Sequence, residues 1–289
     1  MDAAAFLVQL LNGVQSGFLL FLVASGLTLV FGIMGVINLA HGAFYMIGAY
    51  LAFWLTGLTG NLLLAVVIGV AALAVLGVVI ERLAIGFLYR RDHLQQVLLT
   101  FGLILVLDDL QRLIWGSDFH SVPVPDLLSG SVALTTQQDY PVYRLFVSGV
   151  CILVALGMFA LIRHTRLGMR IRAAAANREM ASALGLDVGR LFTLVFALGV
   201  ALAGFAGMVA APIGAVYPGM GDRILILAFV IVVIGGIGSV KGAFAGAMLV
   251  GIADTFGRVL VPEVASMVMY AVMAAVLVWR PQGLFGRPA

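Results

Sequence analysis

GVINLAHGAFYMIGAY, residues 35–50, sets Asn38 and His41 between two apolar runs, GFLLFLVASGLTLVFGI before it and AFYMIGAYLAFWL after it. A helix needs roughly 20 mainly apolar residues to cover a ~30 Å hydrocarbon core. With their neighbours, the runs near 13–34 and 36–57 reach that length. The two polar side chains therefore fall at a break between two spans, in a stretch that otherwise favours burial.

The rest of the chain has the same character. Of 289 residues, 63% are hydrophobic and only 10% are charged. Soluble domains carry roughly 25% charged residues, and no soluble core absorbs this much apolar surface. Further runs near 61–80, 97–115, 142–162, 191–211, 224–240, 242–260 and 264–280 can also span. The expected fold is an all-α polytopic membrane protein with about eight to ten transmembrane or re-entrant helices and an internal repeat. Residues 1–289 read as a single transmembrane domain, without a separate soluble one. The opening MDAAAFLVQLLNG has no basic residue, so it lacks the positive front of a cleavable signal and the first helix is expected to be retained. Cys151 is the only cysteine, which excludes disulfides within the chain and cysteine-based metal sites. The formal charge of +3 reflects loop placement and not nucleic-acid binding.

Cations fix the expected orientation. Arg82, Arg90 and Arg91 share one loop, while Arg163, Arg166, Arg170, Arg172, Arg178 and Arg190 crowd a second. Arg280 and Arg287 mark the tail. By the positive-inside rule these segments face the cytoplasm. Residues 116–141 hold three acids and no Lys or Arg, which suits the outside. Counting spans from these anchors puts the amino terminus outside and the carboxyl terminus inside. Within the second basic loop, RIRAAAANREMASALG carries helix formers through its middle and ends at Gly185, a C-cap residue. A short amphipathic helix along the membrane surface is expected there, either as a lipid anchor or as a docking helix.

An internal echo supports a functional break. HGAF at 41–44 recurs as KGAF at 241–244, and at the same offset Gly35 and Ile37 pair with Gly235 and Ile237. The helix count gives both copies one orientation, and a single re-entrant segment would invert one of them. Transporters place substrate sites where repeats meet, on broken helices. A break inside the membrane leaves backbone groups that Asn38 and His41 could satisfy. Asn38, His41 and Gly42, with Gly235, Gly236 and Gly238, are thus candidate pathway residues. The same positions also read as tight turns between helices. Gly199, Ala203 and Gly207, and later Gly242 and Gly246, fall at four-residue spacing, as close helix packing in lipid requires.

Enzymatic motifs are missing. GGIGSVKGA puts Val240 before Lys241 and Gly242 after it, so a phosphate-binding loop fails, and no metal-ligand spacing appears. Two charged clusters remain, Asp108, Asp109 and Arg112 in the fourth span and Asp254 and Arg258 in the eighth. The i,i+4 pairs Asp108–Arg112 and Asp254–Arg258 can neutralise themselves on one helix, or the acids can serve a proton relay.

Three stretches, GLTLVFGIMGVINLAHGAFYMIGAYLA, TRLGMRIRAAAANREMASALGLDV and FVIVVIGGIGSVKGAFAGAMLVGI, resemble the LivH-type permeases of bacterial branched-chain amino acid ABC importers. The resemblance runs over nearly the whole chain. It implies a multi-pass subunit of the bacterial inner membrane, not itself an enzyme, carrying branched-chain or other hydrophobic amino acids. Implied partners are a second, LivM-type permease, two cytoplasmic ATPase subunits, a periplasmic binding protein and the lipid bilayer. ATP and Mg belong to the ATPases, with no cofactor in this chain. The segment 163–190 becomes the coupling segment, and its helix is implied to include Arg172, Ala173, Ala174, Asn177, Arg178, Glu179, Ala183 and Gly185. A bulky residue at Ala174 or Ala176 is expected to uncouple ATP hydrolysis from uptake. Asn38, His41 and Gly42 sit in the family's most recognisable motif. Urea, amides or small aromatic acids are alternative substrates within the family. A secondary carrier or channel is the alternative outside it, and would need an ionisable site near the midplane that the sequence does not show. The Asp108–Asp109 pair departs from the charge expected of relatives and leaves the outer surface open.

Overall fold

Apolar runs of this length can satisfy their backbone groups in lipid only internally, so each coils into a helix. The structure, a computed structural model, describes residues 3–89, 91–135 and 138–286. Arg90 and Arg287, two of the orienting cations, lie outside the described residues. Among the described residues, nine long helices coincide with the nine apolar runs. They are α1 (Ala3–Met34), α2 (His41–Thr59), α3 (Leu62–Leu83), α4 (His93–Trp115), α5 (Val142–His164), α8 (Val188–Ala210), α9 (Met220–Gly235), α10 (Val240–Leu260) and α11 (Ala265–Trp279). Two short helices, α6 (Arg166–Ala176) and α7 (Arg178–Ala183), lie between α5 and α8. Six of the helices, α1, α2, α3, α5, α8 and α10, are long and apolar enough to cross a membrane. An antiparallel hairpin, β1 (Ser131–Thr135) and β2 (Gln138–Pro141), and an isolated antiparallel bridge between His120 and Val216 are the departures from an all-α chain among the described residues. The bundle thus has a basic end, carrying α6 and α7, and a hairpin end.

Turn chemistry joins the helices. Gly60 closes α2 in the left-handed region at φ 65°, and the Asn61 side chain accepts from the Leu63 and Leu64 amides to open α3. Asp187 caps α8 and Ser239 caps α10 in the same way.

The breaks at 35–40 and 211–219 shape the core. His41 Nε2 donates to the Val23 carbonyl at 3.0 Å. Val23 lies eleven residues before the end of α1, so α2 begins about 16 Å inside the bundle at 1.5 Å per residue. The segment after α8 folds back likewise. Gly207 of α8 packs on Tyr45 and Ala49 of α2, whereas Gly221, at the start of α9, packs on Gly42. α2 and α9 therefore cross at their amino-terminal turns in the interior.

That crossing is reciprocal. A Cβ on Gly42 would meet the Gly221 carbonyl oxygen at 2.2 Å, and one on Gly221 would meet that of Gly42 at 2.5 Å. Gly26 of α1 and Gly199 of α8 approach each other in the same mutual way. Such self-paired contacts are expected on a two-fold axis when the two residues hold equivalent places in two related halves. The neighbours agree: α3 packs along α8 as α10 packs along α1, and α4 packs on α2 as α11 packs on α9. Because α1 runs toward the basic end and α8 away from it, α1–α4 and α8–α11 form an inverted repeat. The HGAF and KGAF copies open α2 and α10, which run in one direction, as the helix count expected. The structural repeat instead pairs α2 with α9, so the sequence echo joins helices that are not equivalent.

A fold-back of the chain completes the basic end. The amides of Leu284 and Phe285 donate to the carbonyls of Ile234 at 2.8 Å and Gly235 at 3.0 Å. These would otherwise be unsatisfied acceptors at the end of α9. Gly236, at φ 94°, has Gly286 and Gln282 pressed against it with no room for a Cβ.

Candidate functional site

Two places gather the polar side chains singled out by the sequence, and they lie apart. The first is the central crossing. Asn38 and His41 are wholly buried. Asn38 Oδ1 accepts from the Ala40 amide at 3.1 Å, which shapes the turn into α2, while its Nδ2 has no hydrogen-bond partner. His41 donates from Nε2 to Val23, and its Nδ1 is left without a partner, as is the hydroxyl of buried Thr28. Thr100 of α4 donates to the Ile37 carbonyl at 3.3 Å and ties the break to the helix outside it. The break is therefore no surface turn. It presents two amino-terminal helix ends, whose dipoles favour negative charge, beside unpaired histidine, asparagine and threonine atoms.

Its counterpart at 235–241 is different. Gly235 packs against Gly242, Gly236 against the folded-back tail and Gly238 against Gly32 at the end of α1. Lys241 is exposed where His41 is buried. Gly235, Gly236 and Gly238 thus form a tight turn at the basic end and do not share a site with Asn38, His41 and Gly42. Length explains it. The break at 35–40 carries six residues back into the bundle, and only four separate α9 from α10.

The second place is the basic end. One continuous helix was expected up to Gly185, but Asn177 breaks it. Its amide closes α6 onto the Ala173 carbonyl and its side chain accepts from the Met180 amide to open α7. Asn competes well for such caps, and the Asn-Arg-Glu order carried that signal. Gly185 ends α7 as expected, at φ 84° with Leu186 N donating to the Ala181 carbonyl. Ala173, Glu179 and Ala183 face outward. Ala174 is only 4% exposed and packs toward the bundle, so a bulky residue there strikes the fold before it strikes a partner. Arg172 donates back to the Ile162 carbonyl at the end of α5. Asn177 is spent on capping. Two exposed apolar residues were missed in the sequence: Met180 at 58% exposure and Leu184 at 81%.

Arg178 links this surface to the interior. Its guanidinium lies 4.8 Å from the Phe192 ring centroid and 5.7 Å from that of Tyr89. Tyr89 donates to Glu81 Oε1, and Thr193 Oγ1 donates to Glu81 Oε2 at 2.7 Å. Burial first, and then the Glu81 carboxylate, hold the Tyr89 phenol above its usual range, so it stays a proton donor at any physiological pH. Glu81 is 2% exposed, and its one ion pair among the described residues is with Arg82, Nε to Oε2 at 3.7 Å. It joins α3, the loop after it, α8 and, through Arg178, α7. Sequence reading did not single it out. Glu81→Ala is expected to cost about 3 kcal/mol, from two bonds to a charged acceptor, and Glu81→Gln clearly less. Melting of the purified variants checks this, and equal melting of Glu81→Ala and wild type would remove the network from the account.

The charged clusters near the hairpin end also resolve. Asp254 pairs with Arg258 at 3.0 Å and takes a second partner, Arg223 of α9, at 3.4 Å. Among the described residues Asp108 and Arg112 do not close into an ion pair. No group of three metal-ligating side chains occurs among the described residues.

Relatives give this arrangement a context. A family profile for the permease component of branched-chain amino acid transport systems matches residues 9–277. The chain is 33% identical to the high-affinity branched-chain amino acid transport system permease protein BraD of Pseudomonas aeruginosa, over 98% of this chain and 96% of that one. It is 34% identical to the permease protein LivH of Escherichia coli K12 over the same shares. LivM of that strain is 29% identical, over 90% of this chain and 66% of its own length. PsaBC from Streptococcus pneumoniae, solved in complex with a Fab, matches in fold with a TM-score of 0.50 at 13% identity, across 93% of this chain and 89% of that one.

Proposed function

The chain belongs to the family of branched-chain amino acid transport permeases, and from that premise we propose that it is a membrane-spanning subunit of an ATP-driven importer for branched-chain or similar hydrophobic amino acids. The observation that carries the reading is the family match from residue 9 to 277, which spans both halves of the inverted repeat. The chain pairs with a second permease of the LivM type, and a periplasmic binding protein supplies the amino acid. Two cytoplasmic ATPases bind ATP and Mg, and this chain needs no cofactor. The basic end faces the cytoplasm, which puts the amino terminus outside and the carboxyl terminus inside.

Each part of the chain has a task in that scheme. The outward faces of α6 and α7, with Met180, Glu179 and Leu184, form the ATPase contact. Arg178, stacked on Phe192, passes movement of α7 to α8, and Glu81 spreads it to α3. α2 and α9 meet backbone to backbone at Gly42 and Gly221, and this crossing acts as the pivot. Asn38, His41 and Gly42 hold the pivot in register. Alternating access follows from rocking one half of the repeat against the other.

The test is extraction of the tagged chain from its native membranes in mild detergent, with identification of what accompanies it. A second permease and two distinct ATPases, together with ATP-dependent leucine uptake after reconstitution, are expected. Recovery of the chain alone, with uptake that ignores ATP, would make it an autonomous carrier and remove the coupling role of α6 and α7.

A further inference from the structure

At the basic end a cavity of about 1000 Å³ opens between α5, α6, the start of α10 and the folded-back tail. Three cations line it, Arg163, Arg172 and Lys241, and no Asp or Glu is among its lining residues. Charge of one sign around a concave space, without an internal partner for Arg163 or Lys241 among the described ion pairs, calls for an anion.

The cavity does not end at the cations. A second, apolar hollow of about 430 Å³ shares Phe159, Val240 and Lys241 with it and continues between α1, α5 and α10. Its floor is a ring cluster, with Phe244 5.3 Å from Phe21 and 6.1 Å from Phe18. Arg163 lies over Phe159, 5.6 Å from the ring centroid, at the junction of the two spaces. From Arg163 the hollow follows α5 to Ile152. Eleven helical residues cover about 16 Å, close to one leaflet, half of a ~30 Å hydrocarbon core.

A free phosphate or a nucleotide would use the cations and leave the apolar trough idle. A hydrocarbon alone would leave three cations unanswered. We propose that the joined cavity binds one anionic phospholipid of the leaflet at the basic end, its phosphate among Arg163, Arg172 and Lys241 and one acyl chain along Phe159, Phe244 and Phe21. The headgroup then sits between α5, which leads into α6, and the amino-terminal turn of α10. The site does not depend on which solute the protein carries.

The test uses the full chain purified in detergent and reads its melting midpoint during titration with dioleoyl phosphatidylglycerol, dioleoyl phosphatidylcholine or glycerol phosphate. Phosphatidylglycerol is expected to raise the midpoint saturably, and the other two are expected to leave it unchanged. In the double variant Arg163→Gln, Lys241→Gln the half-maximal lipid concentration rises by more than about tenfold. Ala155→Trp, which keeps every cation and fills the apolar hollow, loses the response as well. If one variant already melts lower in detergent alone, the other decides.

Equal shifts with phosphatidylcholine would make the effect general lipid solvation and overturn the site. A shift with glycerol phosphate as large as with the lipid would make it a soluble-anion site and overturn the acyl trough. An undiminished response in the variants overturns the assignment, and does so most plainly if those variants also fail to hold a second permease subunit, which would then be the occupant. Loss of lipid binding leaves the ATPase-coupled reading standing, and failure of that reading leaves the lipid titration unaffected.

Discussion

Replacing Gly42 with valine leaves almost no chain that survives detergent extraction as a single species. A Cβ at Gly42 lies 2.2 Å from the Gly221 carbonyl oxygen and 2.8 Å from Leu225 Cβ, and the first obstacle is backbone. Neither helix can yield. α2 is held by the approach of Gly48 to Gly204 and of Tyr45 to Gly207, and α9 by the contact of Gly235 with Gly242. Overpacking a core typically costs about 1–3 kcal/mol when side chains can shift, and more is expected where they cannot. Stabilities of roughly 5–15 kcal/mol leave little beyond that. Gly57, fifteen residues along α2, has nothing within 4 Å of an added Cβ, so Gly57→Val is the matched control and extracts normally. The measurement is the monodisperse fraction after extraction. Equal fractions for the two variants would remove the pivot.

Leu184→Asp produces the opposite pattern, a protein that folds and does not transport. Leu184, which caps α7, stands 81% exposed beside the left-handed Gly185, and Met180 on α7 is 58% exposed. Large apolar side chains displayed on an element outside the spanning segments mark a contact face. An acid in the centre of such a face costs 2 kcal/mol or more, about thirtyfold in affinity. Extraction and melting are expected to match wild type, while ATP-dependent uptake falls by more than about tenfold and ATPase recovery with the chain falls with it. Ala176→Trp, exposed at the end of α6, is expected to act in the same direction. Normal uptake by Leu184→Asp would take the coupling role away from α7.

Much of this was legible in the sequence because lipid simplifies the reading. Nine apolar runs coincide with nine helices, since a spanning segment has no way to pair its backbone except with itself. Four-residue glycine spacing announced the face of α8 that meets α1 and α2, where Gly199 and Gly207 make their contacts. Gly185 announced the end of α7. What stayed hidden depends on depth and partners. The motif at 35–50 left a break inside the membrane and a tight turn both open, because turns at the surface and turns in the interior use the same residues. It gave no depth such as the roughly 16 Å by which the chain re-enters the bundle. The HGAF echo pointed to α10, whereas the symmetric partner of α2 is α9, whose start MGDRILIL shares no motif with it. Glu81 drew no notice in the sequence because its partners, Tyr89 and Thr193, approach it only in three dimensions. At Asn177 the cap signal was present, and the alanine run beside it outweighed it.

The fold-back that closes α9 has a consequence for how the protein is made. The amides of Leu284 and Phe285 are synthesised fifty residues after the carbonyls of Ile234 and Gly235 that they cap. At about 5–20 residues per second, α9 waits roughly three to ten seconds with its last carbonyls open. During that interval the first half of the repeat is already complete and the second is not. The tail therefore works as a finishing stitch, closing the end of α9 only once the last residues of the chain have been made.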